Sequence, residues 1–236
     1  MDLTQNVKAV QEKIAAAAIA AGRDPAEVSL CAATKVQTDD TIRSAIAAGI
    51  RVCGENRVQE LTAHLEADAY AGAEVHFIGH LQTNKVKYVV GRVSLIHSVD
   101  SERLLRAIDA QADKQGCVQD ILLEVNVAGE ESKGGVSPEE LPALAELAAS
   151  CPHVRLRGLM AIPPVSTVPG SNRKYFSQMR NLFVDITNKM SDNQSVIDCL
   201  SMGMSGDYED AVAEGTTLVR VGTALFGPRP YPPAAH

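Results

Sequence analysis

From residue 28 to residue 221, short apolar runs of strand type alternate with longer runs whose apolar residues recur at helical spacing. The strand candidates are 28–34, 50–53, 74–78, 94–99, 120–127, 154–160, 196–202 and 217–221. Helix patterns separate them at 39–48, 57–67, 84–90, 101–115, 138–149, 173–189 and 208–214, and an alanine-rich helix closed by Gly22 precedes them all. Strands joined by helical crossovers run parallel. About eight such units is the count that closes a parallel sheet on itself, so the sequence predicts an α/β fold, a single (β/α)8 TIM-type barrel with an extra N-terminal helix. An open doubly wound sheet is the second choice; neither a G-x-G-x-x-G nor a P-loop sequence occurs to support its nucleotide crevice. No break in composition divides the 236 residues, which predicts one domain over 1–227 and a mobile tail over 228–236. The proline-bearing stretch 163–170 reads as a stiff, exposed connection.

The net charge of −7 and the lack of any dense lysine or arginine run argue against nucleic acid and favour small-molecule partners. Cys31, Cys53, Cys117, Cys151 and Cys199 are odd in number and never spaced C-x-x-C. That predicts reduced thiols, a cytoplasmic setting and no metal site. The alanine stretch 14–21 follows Asp2, Lys8, Glu12 and Lys13, not a positive leader, and no apolar run is long enough to span a membrane.

A barrel of this kind carries its working residues at the C-terminal ends of its strands. Lys35 ends the run Val28-Ser29-Leu30-Cys31-Ala32-Ala33-Thr34. Alternation puts Lys35 on the face of Ser29, Cys31 and Ala33, small side chains that leave room above them. An amine withdrawn from water loses protonation, and neutral amine attacks an aldehyde. Taken alone, the lysine reads more simply as a solvated strand end. On the fifth strand Leu122, Glu124 and Asn126 point inward, and Arg155 and Arg157 share a parity on the sixth. A Glu124 to Arg157 ion pair inside the barrel is therefore expected, as a packing element and not a catalytic one.

The last two units read Leu200-Ser201-Met202-Gly203-Met204-Ser205-Gly206-Asp207 and Val219-Arg220-Val221-Gly222-Thr223-Ala224-Leu225-Phe226-Gly227. Loops after strands seven and eight often cradle phosphate, with glycines admitting backbone N–H groups and hydroxyls completing the shell. Ser201, Ser205, Gly222 and Thr223 are the candidates; ordinary turn and capping chemistry is the alternative for either loop alone. Together with an inward lysine they point to a phosphorylated aldehyde. Arg220 shares a face with Leu218 and Gly222 and is a permanent donor with nothing to accept. A guanidinium at a pyridine nitrogen leaves that nitrogen unprotonated and weakens carbanion chemistry; a salt bridge to a barrel carboxylate is the competing reading.

Ala33-Thr34-Lys35, Gly54-Glu55-Asn56-Arg57-Val58-Gln59-Glu60, Phe77-Ile78-Gly79-His80-Leu81-Gln82-Thr83-Asn84-Lys85, Leu200-Ser201-Met202-Gly203-Met204-Ser205 and Val219-Arg220-Val221-Gly222-Thr223 together resemble the pyridoxal phosphate homeostasis protein family. The blocks run in order over nearly the whole chain. The resemblance implies a stand-alone fold-type III pyridoxal phosphate barrel, related to the N-terminal domain of alanine racemase. It implies that Lys35 carries pyridoxal 5'-phosphate as a Schiff base and that Arg220 meets the pyridine nitrogen. It further implies that Ser201 or Ser205, with Gly222 and Thr223, holds the phosphate, and that Asn56 lines the ring. Lys133, in Gly129-Glu130-Glu131-Ser132-Lys133-Gly134-Gly135, resembles a family position near the mouth, with a solvated loop lysine as its plainer reading. His80 reads as a turn-ordering loop residue. His76 and His80 share a parity without a third ligand, so no metal is expected.

The expected function is that of a monomeric holder of pyridoxal phosphate in intracellular vitamin B6 and amino-acid homeostasis, without turnover, with apo pyridoxal phosphate-dependent enzymes as recipients. A racemase or related amino-acid enzyme is the alternative, but racemisation needs a second acid or base on the opposite face. In the related racemases that group comes from an added domain and partner subunit. An aldolase using Lys35 on a sugar phosphate is a third reading, against which the family blocks speak.

Overall fold

The computed structural model describes residues 2–130, 133–166, 168–190 and 196–228. The strands carry short apolar stretches because both faces of the sheet are covered. The strands are β1 (Ser29–Ala33), β2 (Val52–Glu55), β3 (Glu74–Phe77), β4 (Leu95–Val99), β5 (Gln119–Glu124), β6 (Val154–Met160), β7 (Cys199–Ser201) and β8 (Leu218–Val221). Each pairs parallel with the next, and β8 returns to β1, closing the barrel that the alternation predicts. The helices are α1 (Leu3–Ala20), α2 (Asp39–Ala47), α3 (Val58–Glu66), α4 (Glu102–Gln115), α5 (Leu141–Ser150), α6 (Arg173–Met190), α7 (Tyr208–Ala213) and α8 (Thr223–Phe226). The third crossover is a 3-10 turn over Thr83–Tyr88. Most of the tail predicted over 228–236 lies outside the described residues. Among the described residues, no helix is long and apolar enough to cross a membrane.

The helices form where local signals agree with a buried stripe. In α4 the Ser101 hydroxyl accepts from the Leu104 amide, Gly116 ends the helix at φ 62°, and Leu104, Leu105, Ile108 and Ala112 form the stripe against the sheet. Outward strand residues such as Ala32, Phe77, Ile96 and Val219 join those stripes in the main core. Two smaller apolar clusters lie within the barrel: Cys31, Ala33, Ile78 and Leu218, and Leu95, Leu122 and Met160. The extra helix α1 packs on α7 and on the single turn of α8, tied there by the Asn6 amide donating to the Leu225 carbonyl at 2.9 Å. That turn is absent from the sequence reading, since four residues are too few to show a period.

The register slips at two places, between Ile96 and Val99 on β4 and again between β5 and β6, where alternation fails. Between β5 and β6 the register steps from Ile121 opposite Leu156 to Leu122 opposite Gly158, so Arg157 is the extra residue of a bulge. Glu124 lies opposite Met160 at the other end of the strand. The ion pair expected between Glu124 and Arg157 does not form. Arg157 instead clasps Asp120 at 2.7 Å and Asp198 at the N-terminal end of the barrel, and Arg155 joins it on Asp120. Gly158 sits at φ 150°, and a Cβ there would lie 1.8 Å from the Cys199 carbonyl oxygen. Gly158→Ala should therefore destabilise the chain by about 3 kcal/mol or more, read as a lower urea midpoint at constant slope. A midpoint equal to the parent's would show that the bulge has room to spare.

Candidate functional site

The closing register assembles the site. Ala33 on β1 lies opposite Gly54 on β2, and Ala32 lies opposite Val221 on β8. Continuing each strand by two residues or fewer brings Lys35, Asn56 and Gly222 to one rim at the C-terminal end of the barrel. Gly222 packs directly on Ala33, where a Cβ would meet the Ala33 methyl at 3.4 Å. One turn below, Arg220 lies opposite Cys31 in the barrel interior.

Lys35 is half-buried in a tight turn that the Gln37 amide closes on the Thr34 carbonyl at 3.0 Å. The next residue, Val36, has φ 60°, a left-handed conformation that a β-branched residue seldom takes. The Glu60 carboxylate holds its amide at 2.8 Å. Behind the lysine, the buried Thr34 hydroxyl donates to Glu55 Oε1 at 2.6 Å, and Tyr70 donates to the same oxygen at 2.9 Å. Burial pushes the Glu55 carboxyl up, and these two hydrogen bonds pull it partly back. Its Oε2 has no hydrogen-bond partner among the described residues. The sequence reading passes over Glu55, although a carboxylate on the outward face of β2, beside apolar Cys53, is the signal that could have found it.

Asn56 Oδ1 is likewise buried without a hydrogen-bond partner among the described residues, on the wall of a cavity of about 470 Å³. Ile78, His80, Glu124, Lys133 and Met160 also line that cavity. His80 is largely exposed and lies 3.9 Å from Asp100, whereas His76 turns into the barrel, so the shared parity of the two histidines brings no common site. Lys133 donates to the Pro163 carbonyl at 3.1 Å and ion-pairs with Glu130. Ser205 Oγ accepts from the amides of Gly222 and Ala224, both at 3.2 Å, so two backbone donors at the start of α8 converge on one oxygen. Thr223 opens α8 exposed to solvent.

Arg220 is 4% exposed. It donates to Ser201 Oγ and, at 2.9 Å, to the Ala161 carbonyl. Burial draws its guanidinium below the ordinary range, with Cys31 and Glu124 acting in the opposite sense. Ser201 closes β7 and is fully buried, with its hydroxyl committed to Arg220 and to His97 Nδ1 at 3.1 Å. Of the two serines offered for a phosphate loop, Ser205 stands on the rim and Ser201 beneath it. His97, which the sequence reading does not single out, is a histidine between Ile96 and Ser98 in a buried strand candidate, and that is its sequence signal.

Burial, and then the nearby Asp100, push Glu124 up to about 7, with Arg220 opposing. Between pH 4.5, the unperturbed value, and 7 the folded protein thus holds a proton that the unfolded chain has released. Stability contributed by this group is full below pH 4.5 and falls as pH rises toward 7. Glu124→Gln should remove a loss of order 3 kcal/mol from that window, seen as a flatter dependence of the urea midpoint on pH than in the parent. Parallel pH profiles for the two proteins would contradict this.

The family described as "Alanine racemase, N-terminal domain" matches residues 3–230. A pyridoxal phosphate homeostasis protein of Aquifex aeolicus is 45% identical over 231 residues, covering 98% of this chain and all of the relative. A crystal structure of an unknown protein from Bifidobacterium adolescentis has 38% identity and a TM-score of 0.86, covering 95% of this chain and 94% of that one. PipY of Synechococcus elongatus, solved with PLP bound, has 33% identity and a TM-score of 0.79, covering 96% of this chain and all of its own. This closed barrel, matched over nearly the whole chain by these proteins, belongs to the alanine racemase N-terminal domain family, in its branch of pyridoxal phosphate homeostasis proteins.

Proposed function

We propose that this chain binds pyridoxal 5'-phosphate at the C-terminal mouth of its barrel, covalently on Lys35. On this reading it is a cytoplasmic, monomeric holder of the cofactor in vitamin B6 and amino-acid homeostasis, supplying apo-enzymes and running no turnover of its own. The observation that carries the reading is the register of β8, β1 and β2, which sets Lys35, Asn56 and Gly222 on one rim above Arg220. When bound, pyridoxal phosphate supplies an aldehyde that condenses with a primary amine, and a phosphate dianion that needs donors. The residues fit both demands. Lys35 brings the amine to the rim of the barrel. The amides of Gly222 and Ala224, already aimed at one hydroxyl oxygen, and the hydroxyls of Ser205 and Thr223 supply the donors. Asn56 Oδ1, on the cavity wall, lacks a hydrogen-bond partner among the described residues.

Arg220 argues for holding over turnover. A guanidinium has only N–H groups to offer, so it presents a donor to a ring nitrogen and keeps a proton off it. That leaves the ring a weak electron sink. The racemase reading requires a second acid or base across the mouth from Lys35, and the one observation favouring it is Glu124, a buried carboxyl on the cavity wall that titrates near neutrality.

Borohydride reduction of the holo-protein followed by peptide mapping should place the label on Lys35, and Lys35→Ala should lose the near-visible absorbance. A label found mainly elsewhere refutes the assignment. Stoichiometric protein incubated with L-alanine in deuterated water should yield no enzymic flux of D-alanine, and rapid racemisation would transfer the case to the enzyme.

Ser205→Ala tests the phosphate donors. It should weaken retention of pyridoxal phosphate about tenfold, the scale of one hydrogen bond to a charged group, while leaving unphosphorylated pyridoxal unaffected. Equal effects on both ligands would make Ser205 a structural residue only.

A further inference from the structure

Beneath the rim, a line of buried polar groups crosses the inside of the barrel. Ser201 Oγ lies 3.1 Å from His97 Nδ1, and His97 Nε2 lies 3.0 Å from His76 Nδ1. His76 Nε2 then faces Glu74 Oε2 at 3.7 Å, beside a cavity of about 260 Å³ at the N-terminal end of the barrel. At the upper end, Ser201 receives Arg220. The chain begins in the group assigned above to the ring nitrogen, and nothing in that assignment uses the rest of it.

We propose that His97 and His76 are positioning residues, which with Ser201 form a one-way hydrogen-bonded chain that fixes the Arg220 guanidinium beneath the mouth.

The direction of the chain follows from what each group can do. Arginine only donates, so Ser201 Oγ accepts from it, and the serine's own proton needs an acceptor. Its partners among the described residues are Arg220 and His97, so His97 Nδ1 is that acceptor. The His97 proton is then on Nε2 and goes to His76 Nδ1, and the His76 proton is on Nε2, facing the Glu74 carboxylate. The reverse order would strand a buried hydroxyl proton and turn a lone pair of His76 toward a carboxylate, both unfavourable. Both rings must be neutral for the chain to exist. Burial pushes His76 down to about 4, with Arg157 adding to the effect and Asp120 opposing it. His97 is also pushed down, by burial first and then by His76 and Arg220.

A chain of neutral donors polarised in one sense concentrates negative potential on Ser201 Oγ, where the guanidinium meets it. This holds a buried cation without a carboxylate in contact, leaving its positive charge and remaining N–H groups for the mouth. The role rests on the assignment of Arg220 to the ring nitrogen; the chain itself does not.

The first measurement uses the cofactor-free protein. With 15N-labelled histidine, long-range proton–nitrogen spectra at pH 7 should show His76 and His97 neutral and both protonated at Nε2. An Nδ1–H tautomer or a charged ring at either position overturns the proposal. These tautomers report on the chain whether or not the cofactor reading stands, and failure of the parent to bind pyridoxal phosphate would sink that reading alone. In the holo-protein, His97→Phe removes the acceptor, while His97→Asn keeps an acceptor oxygen near the place of Nδ1. The phenylalanine variant should bind pyridoxal phosphate about tenfold more weakly and shift its near-visible band, and the asparagine variant should recover most of both. Parent-like binding by a folded His97→Phe protein, or an asparagine variant as weak as it, would show that the histidine only fills space. If the phenylalanine variant does not fold, the tautomers and the asparagine variant decide.

Discussion

A guanidinium placed inside a parallel barrel has to be satisfied from every side, and the interior of this chain is organised around Arg220. Taking a charge out of water costs several kcal/mol unless partners replace the lost hydration. Here the replacements are neutral: Ser201 Oγ and the Ala161 carbonyl. Glu124 acts on Arg220 as a nearby charge, and the same burial that disfavours the guanidinium disfavours the carboxylate. The two groups therefore help each other remain ionised only weakly. Small residues on β1 leave space for the arginine, with Cys31 directly opposite it in register.

The barrel divides into two functional halves because its strands are not equally regular. From β8 through β1 to β3 the recorded pairings advance one residue at a time, so residues that follow the strands arrive at the rim in a predictable order. From β4 to β6 the register slips twice, between Ile96 and Val99 and at Arg157. Those bulges re-aim side chains: Arg157 leaves the interior pairing for Asp120 and Asp198 at the N-terminal end, and Glu124 keeps the cavity wall without an arginine against it. The regular half presents Lys35, Asn56 and Gly222; the irregular half supplies most of the cavity wall, with Glu124, Val125, Lys133, Gly134, Met160 and Ile162.

What the sequence revealed and what it hid follow from the same physics. The (β/α)8 architecture was legible because strands covered on both faces are short apolar runs, whatever their exact neighbours. The inward placement of Arg220 was legible from alternation with Leu218, since β8 has no bulge. Alternation misled at Arg157 because one glycine, held at φ 150° against the Cys199 carbonyl, inserts a residue that parity counting cannot see. Ser201 stood as a phosphate candidate because glycine and hydroxyls crowd after it, yet it ends β7 fully buried beneath the rim. His97 and Glu55 were missed for a different reason: each is a polar residue in a buried strand, and its meaning depends on partners 15 to 104 residues away.

On the proposed reading, the groups at the mouth hold the ground state and do little else. Phosphate donors and a lysine that bonds the aldehyde strengthen binding equally before and after any chemistry at the ring. Interactions of that kind tighten a complex without lowering a barrier. A donor-only arginine at the ring nitrogen goes further, since it withholds the proton that would make the ring an electron sink. For an enzyme this would be binding energy spent in the wrong state. For a protein whose task is to keep a reactive aldehyde bound until another protein takes it, ground-state affinity is the function, and an interior that secures Arg220 with neutral partners serves it directly.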